Sequence, residues 1–377
     1  MGHSEPTCTK RLQNISWILV LAVSIVVSIG VVILYSTANG HMQPWASKQI
    51  IRFAIALIPM IGAAIVRIRY WYRISYWLYA AVFLLIIVVD MRGFVGMGAQ
   101  RWIDLGVIQL QPSELMTVAL TLALARYFHR FGSEDVIGIV HLIPPSLMII
   151  LPAGLILKEP DLGTGMILLI GGAALFFLAG VRLRIFLSLS IVVAGMLPIV
   201  WRHLHDYQKD RIYTFLDPNS DPMGAGYHIL QSKIALGSGG LFGKGFLLGT
   251  QSYLNFLPEK QTDFIFTTLA EEFGFIGGLA LLGLYILIIG YGFVVALRSQ
   301  SSFGKLVALG VITNFFLYVF INIAMVTGLI PVVGVPLPLI SYGGTAMLTM
   351  MFGLGLVMSV GVDRDVRLNR AGEPQPA

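Results

Sequence analysis

The sequence predicts an all-α polytopic membrane protein of about ten transmembrane helices, with a large extracytoplasmic loop between helices 7 and 8. Three observations carry that prediction. Only 12% of the 377 residues are charged and 56% are hydrophobic, whereas soluble globular chains are about one quarter charged. The apolar residues fall into repeated runs close to the ~20 residues that a bilayer core requires. One long interruption, residues 203–262, gathers polar, glycine-rich and charged residues that could not lie in lipid with their backbone groups unsatisfied.

This composition excludes a soluble domain, and the net charge of +6 reads as topology rather than nucleic-acid binding. One cysteine, Cys8, excludes an intrachain disulfide. The first apolar run, Ile15 to Tyr35, has no small-residue cleavage site behind it and reads as a retained span. Ten segments follow in order, near 15–36, 50–66, 74–90, 113–126, 142–157, 162–181, 184–201, 264–297, 306–330 and 343–362. The chain thus divides into an N-terminal tail 1–14, a membrane domain 15–362 and a C-terminal tail 363–377. Basic residues (Lys10 and Arg11; Arg67, Arg69 and Arg73; Arg126 and Arg130; Arg182 and Arg184; Arg298 and Lys305; Arg364, Arg367 and Arg370) all fall at one face. The positive-inside rule makes that face, with both termini, cytoplasmic, and the loop 203–262 external.

The expected outer face holds Arg101-Trp102, Gln111-Pro112-Ser113-Glu114, Lys158-Glu159-Pro160-Asp161 and a stretch from Ile330 to Thr345. That last stretch has three prolines and three glycines, which predicts irregular backbone against protein or a wet cavity. Glu114 and Asp161 each read equally as helix-start acids favoured by the dipole or as cavity residues. Within the long loop, residues near 227–235 and 246–257 suit short interfacial helices. The run Gly237-Ser238-Gly239-Gly240-Leu241-Phe242-Gly243-Lys244-Gly245 lacks P-loop spacing and a preceding strand, so no nucleotide site is read there. The loop closes on Asp263, an acid delivered to the mouth of the next span, which is a functional candidate by default. That span, about 34 residues long, exceeds the bilayer, and at least one of its Glu271 and Glu272 reads as a brace for a helix break. No His-Glu-x-x-His or Cys pairing suggests a metal site. A carboxylate base with cationic helpers remains, which suits attack of a hydroxyl on a phosphate-activated carbon.

These motifs, together with Gln208-Lys209-Asp210-Arg211-Ile212, Pro258 to Phe264, Ala270-Glu271-Glu272 and Pro336 to Thr345, resemble the SEDS family (shape, elongation, division and sporulation), most like its rod-shape branch. The resemblance covers nearly the whole chain. It implies ten helices in the bacterial cytoplasmic (inner) membrane and a peptidoglycan glycosyltransferase that polymerises lipid II into β-1,4 glycan at the outer face, with a class B penicillin-binding protein as partner. It places the catalytic aspartate on Asp263 and marks Arg101, Glu114, Asp161, Arg211, Lys260 and Ser341 as substrate-binding candidates. A divalent cation such as Mg2+ is compatible with a pyrophosphate leaving group, though the sequence names no ligands for it. The alternative reading is a flippase or transporter of lipid-linked precursors, which predicts midplane ionisable residues and an internal repeat. The sequence departs from the family in one place: the common Gln-Pro-Ser-Glu-x-x-Lys has Thr117 at the lysine position.

Overall fold

The computed structural model describes residues 8–375 apart from 93, 97–98, 105–108, 132–138, 160, 204–205, 218–224, 255 and 257–258. Among the residues that the sequence singles out, Pro160, Leu257 and Pro258 lie outside the described residues.

After a short α1 (Cys8–Gln13) come α2 (Trp17–Thr37), α3 (Ala46–Ile65) and α4 (Ile68–Arg92). Strands β1 (Phe94–Gly96), β2 (Ala99–Asp104) and β3 (Gln109–Leu110) lead into α5 (Pro112–His129), α6 (Ile143–Lys158), α7 (Leu162–Leu178) and α8 (Leu183–His203). The loop contributes α9 (Asp206–Leu216), α10 (Ala225–Ser238) and α11 (Thr250–Tyr253). Then follow α12 (Ile265–Arg298), α13 (Ser302–Val326), α14 (Gly344–Val362) and a small hairpin, β4 (Arg367–Leu368) with β5 (Pro374–Gln375).

Each of the ten apolar segments read from the sequence becomes a helix. Seven helices among the described residues are long and apolar enough to cross a membrane, and α7 is a shorter apolar helix. The segment near 113–126, which looks like half a span, is an 18-residue helix. Nearly all its side chains are buried because it packs against α4, α6, α7, α13 and α14 at once. A helix apolar all round belongs in a core, and α5, α13 and α14 form that core. Around it α3 packs on α14, α12 on α13, and α2 on both α12 and α3.

Four segments read as loops or tails are folded. Strands β1, β2 and β3 form an antiparallel three-stranded sheet in the order β1-β2-β3, pairing Ile103 with Leu110. The loop stretch at 206–216 is a helix, whereas the helix expected near 246–257 shrinks to the four residues of α11. The C-terminal tail docks: Tyr72 Oη donates to Arg370 O at 2.9 Å, and His129 Nε2 donates to Asn369 O at 2.9 Å. The N-terminal tail docks too. Arg11 Nη1 and Nη2 donate to the Asp363 carboxylate at 2.5 and 3.0 Å, with both side chains buried. Asp363 also accepts from Ile68 N at 2.8 Å, and Arg11 Nε donates to Ile65 O at 2.7 Å. Arg11 is therefore an internal ion-pair partner as well as a topology marker.

Helix α12 is one apolar run with a break inside it. Gly274 takes φ 68° and ψ −165°, outside the helical region and open to few residues but glycine. The carbonyls freed there accept from the glycine-rich segment: Lys244 N to Glu271 O and Gly245 N to Glu272 O, both at 3.0 Å. In return, Phe275 N donates to Gly240 O at 2.9 Å and Ile276 N to Leu241 O at 3.1 Å. The run that superficially resembles a phosphate cradle thus caps a broken helix. Both glutamates brace it, where the sequence suggests at least one. Glu271 Oε1 accepts from Lys244 Nζ (2.7 Å), Thr250 Oγ1 (3.1 Å) and Gln251 N (3.1 Å), while Glu272 accepts from Ser36 of α2.

Candidate active site

Asp263 stands one residue before the N-cap of α12, Phe264, and is half-buried. Its backbone is fixed from α13: Asn322 Nδ2 donates to Asp263 O at 2.9 Å and to Val335 O at 2.7 Å. One amide therefore joins the approach to α12 with the irregular segment before α14. Ser341 makes the second tie. Its hydroxyl donates to Thr262 O at 2.6 Å and accepts from Leu337 N at 2.7 Å, and Tyr342 N donates to Gln261 O at 2.8 Å. Gly334 (φ 74°) brings bare backbone to the carboxylate, since a Cβ there would lie 3.5 Å from Asp263 Oδ2. The irregular segment before α14 thus approaches the acid through Gly334, with no side chain of that residue between them.

The carboxyl of Asp263 is pushed up from 3.8 to about 7. Burial is the main cause, followed by the nearby Glu259 and Asp161, while Arg211 and Arg101 act in the opposite sense. The fold thereby gathers onto one acid four residues from three other elements, β2, the α6–α7 turn and α9, and from its own loop. Glu259 itself takes a left-handed φ of 53° and is held by Thr262 Oγ1 (3.0 Å) and Gln261 Nε2 (3.2 Å). Lys260 is buried, which lowers its amine from the ordinary value.

Arg101 lies on β2, and its Nε donates to Glu159 O at 2.9 Å. Asp161 is the N-cap of α7: Oδ1 accepts from Thr164 N at 3.1 Å and Oδ2 from Gln111 Nε2 at 2.8 Å. Its helix-start role is thus realised, and through Gln111 it also clasps the start of α5. Glu114 lies in the first turn of α5, 6% exposed. Thr117, at the family's lysine position, donates to the Glu114 carbonyl at 2.7 Å and leaves its carboxylate alone. Glu114 Oε2 has no hydrogen-bond partner among the described residues.

Two residues that sequence reasoning passed over belong here. Asn322 was legible as an amide inside an apolar span, a placement that signals a role. Glu159 had weaker signals, standing beside Asp161 in the same short loop. It is 6% exposed, its Oε1 finds no hydrogen bond among the described residues, and its carboxyl rises to about 8. Burial leads there, with Asp161 and Asp90 adding to it and Arg101 and Lys158 opposing. Among the described residues no three His, Cys, Asp or Glu side chains converge as a metal set.

A family described as FtsW/RodA/SpoVE cell cycle proteins matches residues 10–365. The peptidoglycan glycosyltransferase MrdB of Escherichia coli K12 is 45% identical over 337 residues, covering 87% of this chain and 88% of its own. Stage V sporulation protein E of Bacillus subtilis 168 is 34% identical over 93% of this chain and 98% of its own. Among solved structures, a chain from a peptidoglycan synthase complex that coordinates polymerization and crosslinking superposes with a TM-score of 0.80 at 31% identity, covering 93% of this chain and 98% of its own. The crystal structure of Thermus thermophilus rod shape determining protein RodA gives 0.69 at 29% identity, covering 93% and 97%.

Proposed function

We infer the chemistry of this site from the premise that the chain belongs to the FtsW/RodA/SpoVE family; it is an integral membrane peptidoglycan glycosyltransferase. We propose that Asp263 is its general base. The acceptor sugar's 4-hydroxyl gives its proton to Asp263 as its oxygen attacks the anomeric carbon of lipid II. The bond from that carbon to undecaprenyl pyrophosphate breaks, and this single displacement turns the α-linked donor into a β-1,4 glycan. One observation carries the assignment: a crowded, half-buried carboxyl with its pKa near 7, which is where a base works best at neutral pH.

Arg101 and Arg211, whose charges are felt at Asp263, are assigned to the pyrophosphate leaving group. Lys260, buried in the same loop, is the third cation. Glu159, held protonated at neutral pH, is assigned as a hydrogen-bond donor to substrate. Ser341, whose hydroxyl proton and lone pair are both engaged with backbone, is assigned to positioning rather than to direct contact. Asp161, as an N-cap clasped to Gln111, is assigned likewise. Glu114 is assigned to the cavity wall. The chemistry lies at the extracytoplasmic face of the bacterial inner membrane, opposite the termini, and the partner is a class B penicillin-binding transpeptidase. The flippase reading is disfavoured because the acids and bases gather around the approach to α12.

The deciding experiment is polymerisation of fluorescent lipid II by the purified protein with its transpeptidase. Glycan ladders from the wild type and none from Asp263→Asn support the assignment. Equal ladders from both overturn it.

A further inference from the structure

Far from Asp263, at the end of the bundle that carries both termini, a cavity of about 190 Å³ opens between the start of α2, the end of α12 and the end of α14. Its polar lining is Asn14, Ser16, the hydroxyl-bearing Tyr291, and two arginines, Arg298 and Arg364. The arginines come from different elements: Arg298 ends α12, and Arg364 follows α14. Gly361 keeps the cavity open beside Val295 and Tyr291.

The charge here is not neutralised from within. Arg298 has no hydrogen bond, ion pair or ring contact among the described residues. Among the described residues the Arg364 side chain meets only Asp365, at 3.4 Å and with both side chains exposed, and such a surface pair contributes little. The other nearby carboxylate, Asp363, is committed to Arg11 and Ile68 N. An arginine ending a helix has an ordinary explanation, the favourable interaction with the helix C-terminus. That explanation does not call for a concave site, nor for a second guanidinium brought to it by the segment after another helix.

The surroundings identify the phase from which a ligand would come. Trp17, Phe293, Val294 and Leu297, on two of the helices that border the cavity, are exposed by 43–59%. In a membrane protein such side chains face lipid, and tryptophan at a span's end marks the headgroup layer. The cavity therefore sits where hydrocarbon gives way to polar tail. A guanidinium at that level matches a phosphodiester oxygen pair, and two can share one phosphate.

We propose that this cavity binds the phosphate of an anionic phospholipid headgroup, held by Arg298 and Arg364 with the acyl chains running along α2 and α12. The site lies apart from the glycan chemistry and is independent of it.

The test is native mass spectrometry of the full chain in detergent, titrated with phosphatidylglycerol, phosphatidylcholine or inorganic phosphate. The wild type is expected to retain one phosphatidylglycerol in preference to phosphatidylcholine, and Arg298→Gln/Arg364→Gln to lose that preference by about tenfold in affinity. Arg298→Gln alone, which alters an exposed side chain, is expected to show a partial loss and serves if the double variant fails to accumulate. Arg298→Lys should fall between the two, since an ammonium keeps the charge but not the fork. Equal retention of both lipids by the wild type, or an unchanged preference in the glutamine variants, overturns the proposal. Displacement of phosphatidylglycerol by inorganic phosphate at equal concentration overturns the lipid assignment in favour of free phosphate.

Discussion

Asp263→Asn keeps the size of the side chain and removes the basic oxygen, so it separates chemistry from folding. It is expected to lower lipid II polymerisation by about 10²–10⁴ while the protein accumulates and still co-purifies with its transpeptidase. Loss of accumulation would make Asp263 structural. The shift from 3.8 to about 7 gives this residue two pH dependences. A general base acts as the carboxylate, so under the proposed assignment the initial rate should fall as pH drops through about 7, and a rate flat from pH 8 to 5.5 would remove Asp263 as the base. Stability runs the other way. Between about pH 4 and 7 the folded state holds a proton that the unfolded chain has released, so this group's contribution declines as pH rises through that window. Asp263→Asn should therefore melt no lower than the wild type at pH 8. This residue was legible in the sequence because a carboxylate at the mouth of a span is conspicuous. Glu159 was not: a buried carboxyl cannot be told from a solvated one by its neighbours in a loop, and its burial is made by other elements.

At the level of the element, α12 shows what hydropathy sees and what it misses. The 34 apolar residues were readable as a span, and the glutamates as signs of a break. The partner of the break was hidden, because a glycine-rich stretch looks alike whether it meets a phosphate or another backbone. Gly274 is where the two broken backbones interlock, since a Cβ there would strike Gly243 N and Leu241 O. Gly274→Ala therefore adds a clash to a left-handed φ and is expected to cost at least about 1–3 kcal/mol, measured as a lower melting temperature in detergent. An unchanged melting temperature would mean that the break is not fixed by this contact. The small β-sheet and α9 were illegible for a related reason. Short elements bordering a membrane are set by what they pack on, and neither apolar period is long enough to show.

For the whole molecule, helix count follows from composition, whereas closure of the bundle follows from single side chains. Orientation is tested with Tyr213→Cys and Ser302→Cys in a Cys8→Ser background. The first should react with an impermeant thiol reagent from outside the cell and the second should not; the reverse would invert the site's location. The Arg11–Asp363 pair bridges the two tails, and breaking a buried pair from one side typically costs about 3–5 kcal/mol. Asp363→Ala is expected to lower thermal stability on that scale, and Asp363→Asn by less, since an amide oxygen in the Oδ2 position still accepts from Arg11 Nη2 and Ile68 N. Both effects vanish if the tails are merely tethered. The order of synthesis gives this contact a further meaning. Arg11 leaves the ribosome 352 residues ahead of Asp363, so over that stretch of synthesis the guanidinium lacks the carboxylate it pairs with. Arrival of the end of α14 is thus registered in the fold itself, and a product truncated before residue 363 should differ from one that extends past it in its susceptibility to membrane proteases.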